Sequence, residues 1–343
     1  MQRFAYAFAP SLALLVVAPA CADEVVFDAP DAAPQPVFAE LPPAPADWLL
    51  LFDRSASWSR REDRFDGLKD GVTAFLAARS GDIELAATYF PRAFDANASC
   101  DVADFSTAEL TWPATNEDVT AALAGWDITS TGSTLGPALE GAGLIAGARR
   151  VARPGRSTSI VILTDAAPGE DETCETSAWD AIAGVARDVF AAGRGPNVHV
   201  VGVLGTATAP DHPAKVGGIA VAGGGYAAFV NGGQSDIAAS ALGVLRDLES
   251  RAAVCTRALP AGFVPDALTV TSPDGTVTEL ARAADASACA GPQFFLDDPA
   301  APTTATLCSG DGGIGGVCEV TFLRSRVAGS PTVVGRAGAS SRP

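Results

Sequence analysis

From residue 48 onward, short unbroken apolar runs alternate with longer segments of helical period. WLLLF (48–52), DIELAATYF (82–90), SIVILT (159–164), VHVVGVLG (198–205) and YAAFV (226–230) predict strands. Between them, Phe65, Leu68, Val72, Phe75 and Leu76 line one helical face. Leu135, Leu139, Ala142 and Ile145 line a second, and Ile237, Ala241, Val244 and Leu248 a third. Strands that are apolar throughout must be covered on both sides. The pattern therefore predicts an α/β domain over 47–254, a doubly wound, Rossmann-like and mostly parallel sheet.

The texture changes beyond this domain. ALTVTSPDGTVTEL (267–280) is two alternating runs around Pro-Asp-Gly, a hairpin signal, and QFFLDDPAAPTTATLC predicts a second hairpin. The last four cysteines fall in the same stretch, so 255–325 is read as a small β-rich module stapled by disulfides. Residues 326–343, rich in Gly, Ser, Pro and Arg, read as a disordered tail. At the other end, 22–46 is rich in Pro, Ala and acid without either period, which predicts an extended tether.

Residues 1–21 have the build of an export signal: Arg3, an apolar stretch, then small residues. Cleavage after Ala20 gives a secreted or periplasmic protein. Cleavage before Cys21 gives a lipoprotein at the outer membrane or cell surface, whose membrane contact is the lipid on Cys21. With Cys21 set aside, six of the seven cysteines remain, a number suited to three disulfides in an oxidising compartment. The net charge of -17, from 40 Asp and Glu against 23 Lys and Arg, excludes a nucleic-acid partner and favours cations.

In an open α/β sheet, ligands sit beyond the carboxyl ends of the strands. Asp53 ends the first strand and Asp165 the third, while TGSTLGPAL (131–139) places Ser133 and Thr134 where a loop enters a helix. Such an all-oxygen set, without His or Cys, suits Mg²⁺, Mn²⁺ or Ca²⁺.

At this point the chain resembles a known family. Asp53-Arg54-Ser55-Ala56-Ser57 is similar to the DxSxS motif of von Willebrand factor A (VWA) domains, TGSTLGPAL to their second motif and VILTD to their third. Together these form a metal-ion-dependent adhesion site. The resemblance implies that Ser55, Ser57 and a second-motif hydroxyl bind the cation, with Asp53 and Asp165 supporting it. It also implies that an exposed Asp or Glu of a protein partner completes the coordination. Alignment on Ala138-Leu139 puts Ser133 at the family's threonine position, with Thr134 the alternative ligand. Ser for Thr keeps the hydroxyl; Ala166 replaces the usual glycine after Asp165. The C-terminal stretch is similar to that of uncharacterised myxobacterial VWA proteins, exported or lipid-anchored, and implies no activity.

Other readings compete. Asp53, Ser55 and Ser57 are also ordinary turn residues. Glu170, Asp171, Glu172 and Glu175 form either a solvated acidic loop or a second cation site. The glycines of CSGDGGIGGVC lack a following Lys, so they read as a loop and not a phosphate cradle. His199, inside a strand, and His212 pair with no nucleophile elbow, and core or surface roles are expected of them. An aspartate-nucleophile phosphatase would place an acid where Ser55 stands, so the chain reads as a binding protein and not an enzyme. A scaffold with an unoccupied site is the runner-up. Of the fifteen connectivities six cysteines allow, Cys100–Cys174, Cys289–Cys308 and Cys255–Cys318 are expected. The mass of the mature amino terminus separates lipid on Cys21 from simple secretion.

Overall fold

The computed structural model describes residues 37–40, 44–60, 62–79, 82–94, 97–165, 174, 178–191, 195–205, 210–233, 236–265, 267–271, 277–285, 288, 293–308 and 322–327. The signal segment, Cys21 and the acidic run at 170–175 lie outside them, as do the side chains of Cys255, Cys289 and Cys318.

In chain order the elements begin with strands β1 (Val37–Glu40) and β2 (Ala46–Asp53), a 3-10 turn (Ala56–Arg60) and helix α1 (Glu62–Ala78). Strands β3 (Ile83–Phe90), β4 (Ala93–Phe94), β5 (Asn97–Ala98) and β6 (Leu110–Ala114) lead to α2 (Asn116–Gly125) and α3 (Leu135–Ala152). Then come β7 (Ser157–Thr164), α4 (Trp179–Phe190), β8 (Asn197–Leu204), α5 (His212–Ala222), β9 (Ala227–Asn231) and α6 (Ile237–Cys255). Strands β10 (Thr256–Ala258), β11 (Ala267–Thr271), β12 (Val277–Arg282), β13 (Gln293–Leu296), β14 (Thr304–Leu307) and β15 (Phe322–Val327) complete the chain.

One sheet runs β6-β3-β2-β7-β8-β9, parallel except for the antiparallel edge pair β3–β6. All eight residues of β2 are buried, which is why its apolar run is unbroken. Its alternation splits them between two cores. Trp48, Leu50 and Phe52 join the side chains of α1, α2 and α6, while Leu49 and Leu51 join those of α3, α4 and α5. The chain winds outward from β2 to β3, then in the opposite direction through β7, β8 and β9. The carboxyl end of β2 therefore stands at the reversal point of a doubly wound sheet, where such folds open a crevice.

The five sequence-predicted strands are present within one or two residues at each end. Within this domain the pattern missed the short strands β4, β5 and β6 and the helices α2, α4 and α5. The hairpin expected at 267–280 is the antiparallel pair β11–β12, with Leu268 opposite Leu280. The second is β13–β14. Its turn is closed by Asp297, whose carboxylate accepts the Thr303 and Thr304 amides at 2.9 Å each and the Thr303 hydroxyl.

The C-terminal strands form a seven-stranded sheet ordered β1-β15-β11-β12-β13-β14-β10. Two of its strands cross the boundaries read from the sequence. β1 comes from the segment read as tether and pairs along its length with β15, which itself runs two residues past 325. Both are stabilised by backbone pairing, which composition does not display. The two sheets touch: Phe190 of α4 packs with Ala283, Phe295 and Cys308, Gly155 N–H donates to Thr303 Oγ1 at 2.9 Å, and Ala44 N–H donates to Thr256 O at 3.0 Å.

At the amino end of β2, Asp47 is fully buried between two guanidiniums, Arg149 Nε at 2.7 Å and Arg156 Nε at 2.6 Å. Glu84 receives Arg149 and Arg153 beside it. Removing the carboxylate leaves Arg149 and Arg156 to share Glu84 alone among the described carboxylates. Asp47→Asn is expected to lower unfolding free energy by about 3 kcal/mol, the scale of breaking a buried pair, as read by urea denaturation.

Candidate metal centre

At the carboxyl end of β2 the same strand does the reverse and buries a carboxylate with no cationic partner among the described residues. Asp53 is 0% exposed. Continuing the alternation of Leu49 and Leu51, it faces the side of the sheet that α3 covers. One oxygen accepts the Ser55 amide at 2.8 Å, and the other accepts the Thr164 hydroxyl at 2.6 Å. Thr164 is the last residue of β7, and its presence follows from register: Phe52 lies opposite Leu163, so the next residues meet at the sheet edge. No Lys, Arg or His among the described residues pairs with Asp53.

The serines turn back beneath it. Ser55 is buried, and its Oγ lies 2.9 Å from Ser57 Oγ. The loop before α3 is bound to this turn by its backbone. Thr129 N–H donates to Arg54 O at 2.7 Å, Ala56 N–H to Thr131 O at 2.9 Å, and the Thr129 hydroxyl also reaches Arg54 O at 3.0 Å. Two residues on, Ser133 and Thr134 are buried, at 2% and 0% exposure. Thr134 occupies the cap position of α3 without capping it, and its Oγ1 has no hydrogen-bond partner among the described residues. An orphaned buried hydroxyl costs roughly 1–3 kcal/mol, and a hard cation is one group that would take it.

Asp165 directly follows Thr164 and is half-buried. Burial pushes the Asp53 carboxyl up to about 7; the charge of Asp165 adds to this, and the hydrogen bonds from Thr164 and Ser55 oppose it. Two carboxylates and a group of hydroxyls thus meet where β2 and β7 end. Among the described residues no three His, Cys, Asp or Glu side chains cluster as a metal site. The set here is of another kind, in which hydroxyls supply most of the oxygens.

Of the residues singled out in the sequence, Ser55 bonds Asp53 and Ser57, Ser133 and Thr134 are buried at the start of α3, and Asp165 follows β7; Thr129 and Thr131, which bond the same turn, and Thr164, which bonds Asp53, were not among the candidate ligands. The run Ile-Thr-Ser-Thr-Gly-Ser-Thr (128–134) carried a signal for the first two, and strand register alone points to Thr164. A disulfide joins Cys100 to Cys174, tying the segment beyond Asp165 to the one beyond β5. Cys308 is disulfide-bonded as well, to a cysteine whose side chain is outside those described. The two histidines lie elsewhere. His199 Nδ1 accepts the Tyr226 amide at 3.1 Å, and burial pushes its imidazole down to about 4, so it stays neutral in the core. His212 is buried against the Trp179 ring at 5.2 Å. A surface groove of about 310 Å³ between α3 and α4, lined by Glu140, Leu144, Val185 and Asp188, contains none of the site residues.

No family model matches the chain, and no match is found among curated proteins. Solved structures similar to it include proximal thread matrix protein 1 from the mussel byssus, at 16% identity over 67% of this chain and 52% of that one, TM-score 0.44. The PilB minor pilin of Streptococcus sanguinis is 14% identical over 62% of this chain and 61% of its own, TM-score 0.41. The vWF domain of the type V pili tip protein Mfa5 from Porphyromonas gingivalis is 11% identical over 36% and 38%, TM-score 0.27. The chain spans less than two thirds of the length of each. Among the described residues no helix is long and apolar enough to cross a membrane.

The raised Asp53 value has a defined sign. The unfolded chain titrates near the ordinary 3.8, so between there and about 7 the folded protein holds the extra proton. Stability is fully present at or below about pH 4 and is lost as the pH rises through 7. In chelator, the melting temperature is expected to fall from pH 5 to 8, and Asp53→Asn to flatten that slope. An unchanged slope in the variant would remove Asp53 as its source.

Proposed function

We propose that this is an exported, VWA-type binding protein whose divalent cation, held at the end of β2, captures an acidic side chain of a protein partner. The observation that carries the reading is Asp53: a fully buried carboxylate, repelled by Asp165 and supplied with no cationic side chain among the described residues. A positive charge arriving from outside would stabilise such a group as an anion. The serine hydroxyls beside it and the orphaned Thr134 hydroxyl are oxygen donors of the hardness that Mg²⁺, Mn²⁺ or Ca²⁺ prefers.

In this reading Ser55, Ser57 and Ser133, or Thr134 in its place, hold the metal directly, and Asp53 and Asp165 act on it directly or through water. Neutral hydroxyls leave the ion with most of its charge. It then attracts an anion, so the open position takes Asp or Glu of the partner. The role is adhesion or ligand binding, without catalysis. The Cys100–Cys174 disulfide is in keeping with an oxidising location, either periplasmic, secreted, or lipid-anchored through Cys21 at a bacterial outer membrane or cell surface.

Calorimetry tests it. The protein is expected to bind one equivalent of Mg²⁺ or Mn²⁺, and Asp53→Ala and Ser57→Ala to weaken binding about tenfold or more, ~1.4 kcal/mol. Binding absent from the native chain, or equal in all three, sinks the metal centre. Partner capture that persists in chelator would move the function to a metal-independent scaffold.

A further inference from the structure

Between Asp53 and Ser55 stands a cation that the site, as read so far, does not use. In a chain of net charge -17, arginines and lysines readily meet carboxylates. Lys69 pairs with Asp66, Arg92 with Glu109, Arg149 and Arg156 with Asp47, and Lys215 with Asp211. Arg54 pairs with no carboxylate of the described residues, although Asp53 precedes it in the chain. Its guanidinium lies 4.3 Å from the centre of the Tyr89 ring, and its Nε–H donates to Asp127 O at 2.7 Å.

These contacts hold the group while leaving its charge exposed to a ligand. The ring fixes the plane of the guanidinium. The Asp127 carbonyl takes one of its five N–H donors, and the four on Nη1 and Nη2 make no bond to a described residue. The backbone is clamped on both sides too: Arg54 N–H donates to Phe90 O at 2.6 Å, and its carbonyl accepts from Thr129. Arg92 makes a useful contrast. It shares the Tyr89 ring at 5.7 Å but spends its Nη2 on Thr88, Thr107 and Glu109.

We infer that Arg54 is a specificity-determining residue of this site, a fixed guanidinium that receives a second acidic group of the partner beside the one on the metal. The inference rests on the reading of the site as a cation centre for an acidic side chain. It narrows the partner to a segment with two carboxylates close together. A planar, forked donor matches a carboxylate in two parallel hydrogen bonds, and a preordered one loses little freedom on binding. In an extended segment, residues two apart project to the same side at a spacing of roughly 7 Å.

The test uses surface-coupled Gly/Ser peptides carrying one Asp, or two Asp separated by one, two or three residues. Retention of the full mature protein is followed in Mg²⁺ and in chelator. The expected result is that a di-acidic peptide is retained at about tenfold lower protein concentration than the mono-acidic one, in Mg²⁺ only. Arg54→Gln brings the two peptides level, and Arg54→Lys, with charge but no fork, falls between. A di-acidic preference that survives in Arg54→Gln, or equal Mg²⁺-dependent retention of all peptides by the native chain, overturns the role of Arg54 and leaves the metal reading standing. Absence of Mg²⁺-dependent retention for every peptide overturns the metal reading, and this inference with it.

Discussion

A single strand, β2, buries two carboxylates, one near each end, and treats them in opposite ways. Asp47 is enclosed by Arg149 and Arg156, so its charge is neutralised within the chain. Asp53 is equally buried and, among the described residues, receives an amide and a hydroxyl. The first arrangement welds the base of the sheet. The second leaves the top with an electrostatic deficit that no described residue corrects. The surrounding features follow from keeping Asp53 in place: the register that brings Thr164 to it, the turn of Ser55 and Ser57, and the backbone bonds that bring Thr129 and Thr131 alongside.

The strands and the polar residues that end them were legible in the sequence to the extent that their physics is local. A strand covered on both faces must be apolar without interruption, so WLLLF and SIVILT announced themselves. Polar residues at the end of such a strand stand out for the same reason. What escaped depends on neighbours. β6 contains Pro113 and alternates half-buried with exposed positions because it is an edge. The buried face of α2 holds only Val119 and Leu123. The glycines of α5 dilute its period. Thr164 looks like any strand terminus until pairing sets it beside Asp53, and Arg54 looks like a variable residue within a motif until Tyr89 and Asp127 fix it.

The second sheet shows the same division. Its hairpins were readable from turn chemistry, and Asp297 confirms how closely a short polar side chain can close such a turn. Its edge strand β1 and the neighbouring β15 come from opposite ends of the described chain and meet in backbone pairing. No periodicity within either segment reveals a partner almost three hundred residues away. The packing of Phe190 against Ala283 and Phe295 likewise joins two bodies that composition had suggested were separate modules.

The pairing of β1 with β15 has a mechanical meaning. The covalent route from the amino-terminal side to Asp53 is short, passing through β1 and then directly along β2. Tension entering from that side meets the four-residue ladder between β1 and β15 first, and spreads across a seven-stranded sheet before it reaches the strand that carries the carboxylate. The C-terminal sheet is thus a strain relief, placed between the amino-terminal side of the chain and the strand that carries Asp53.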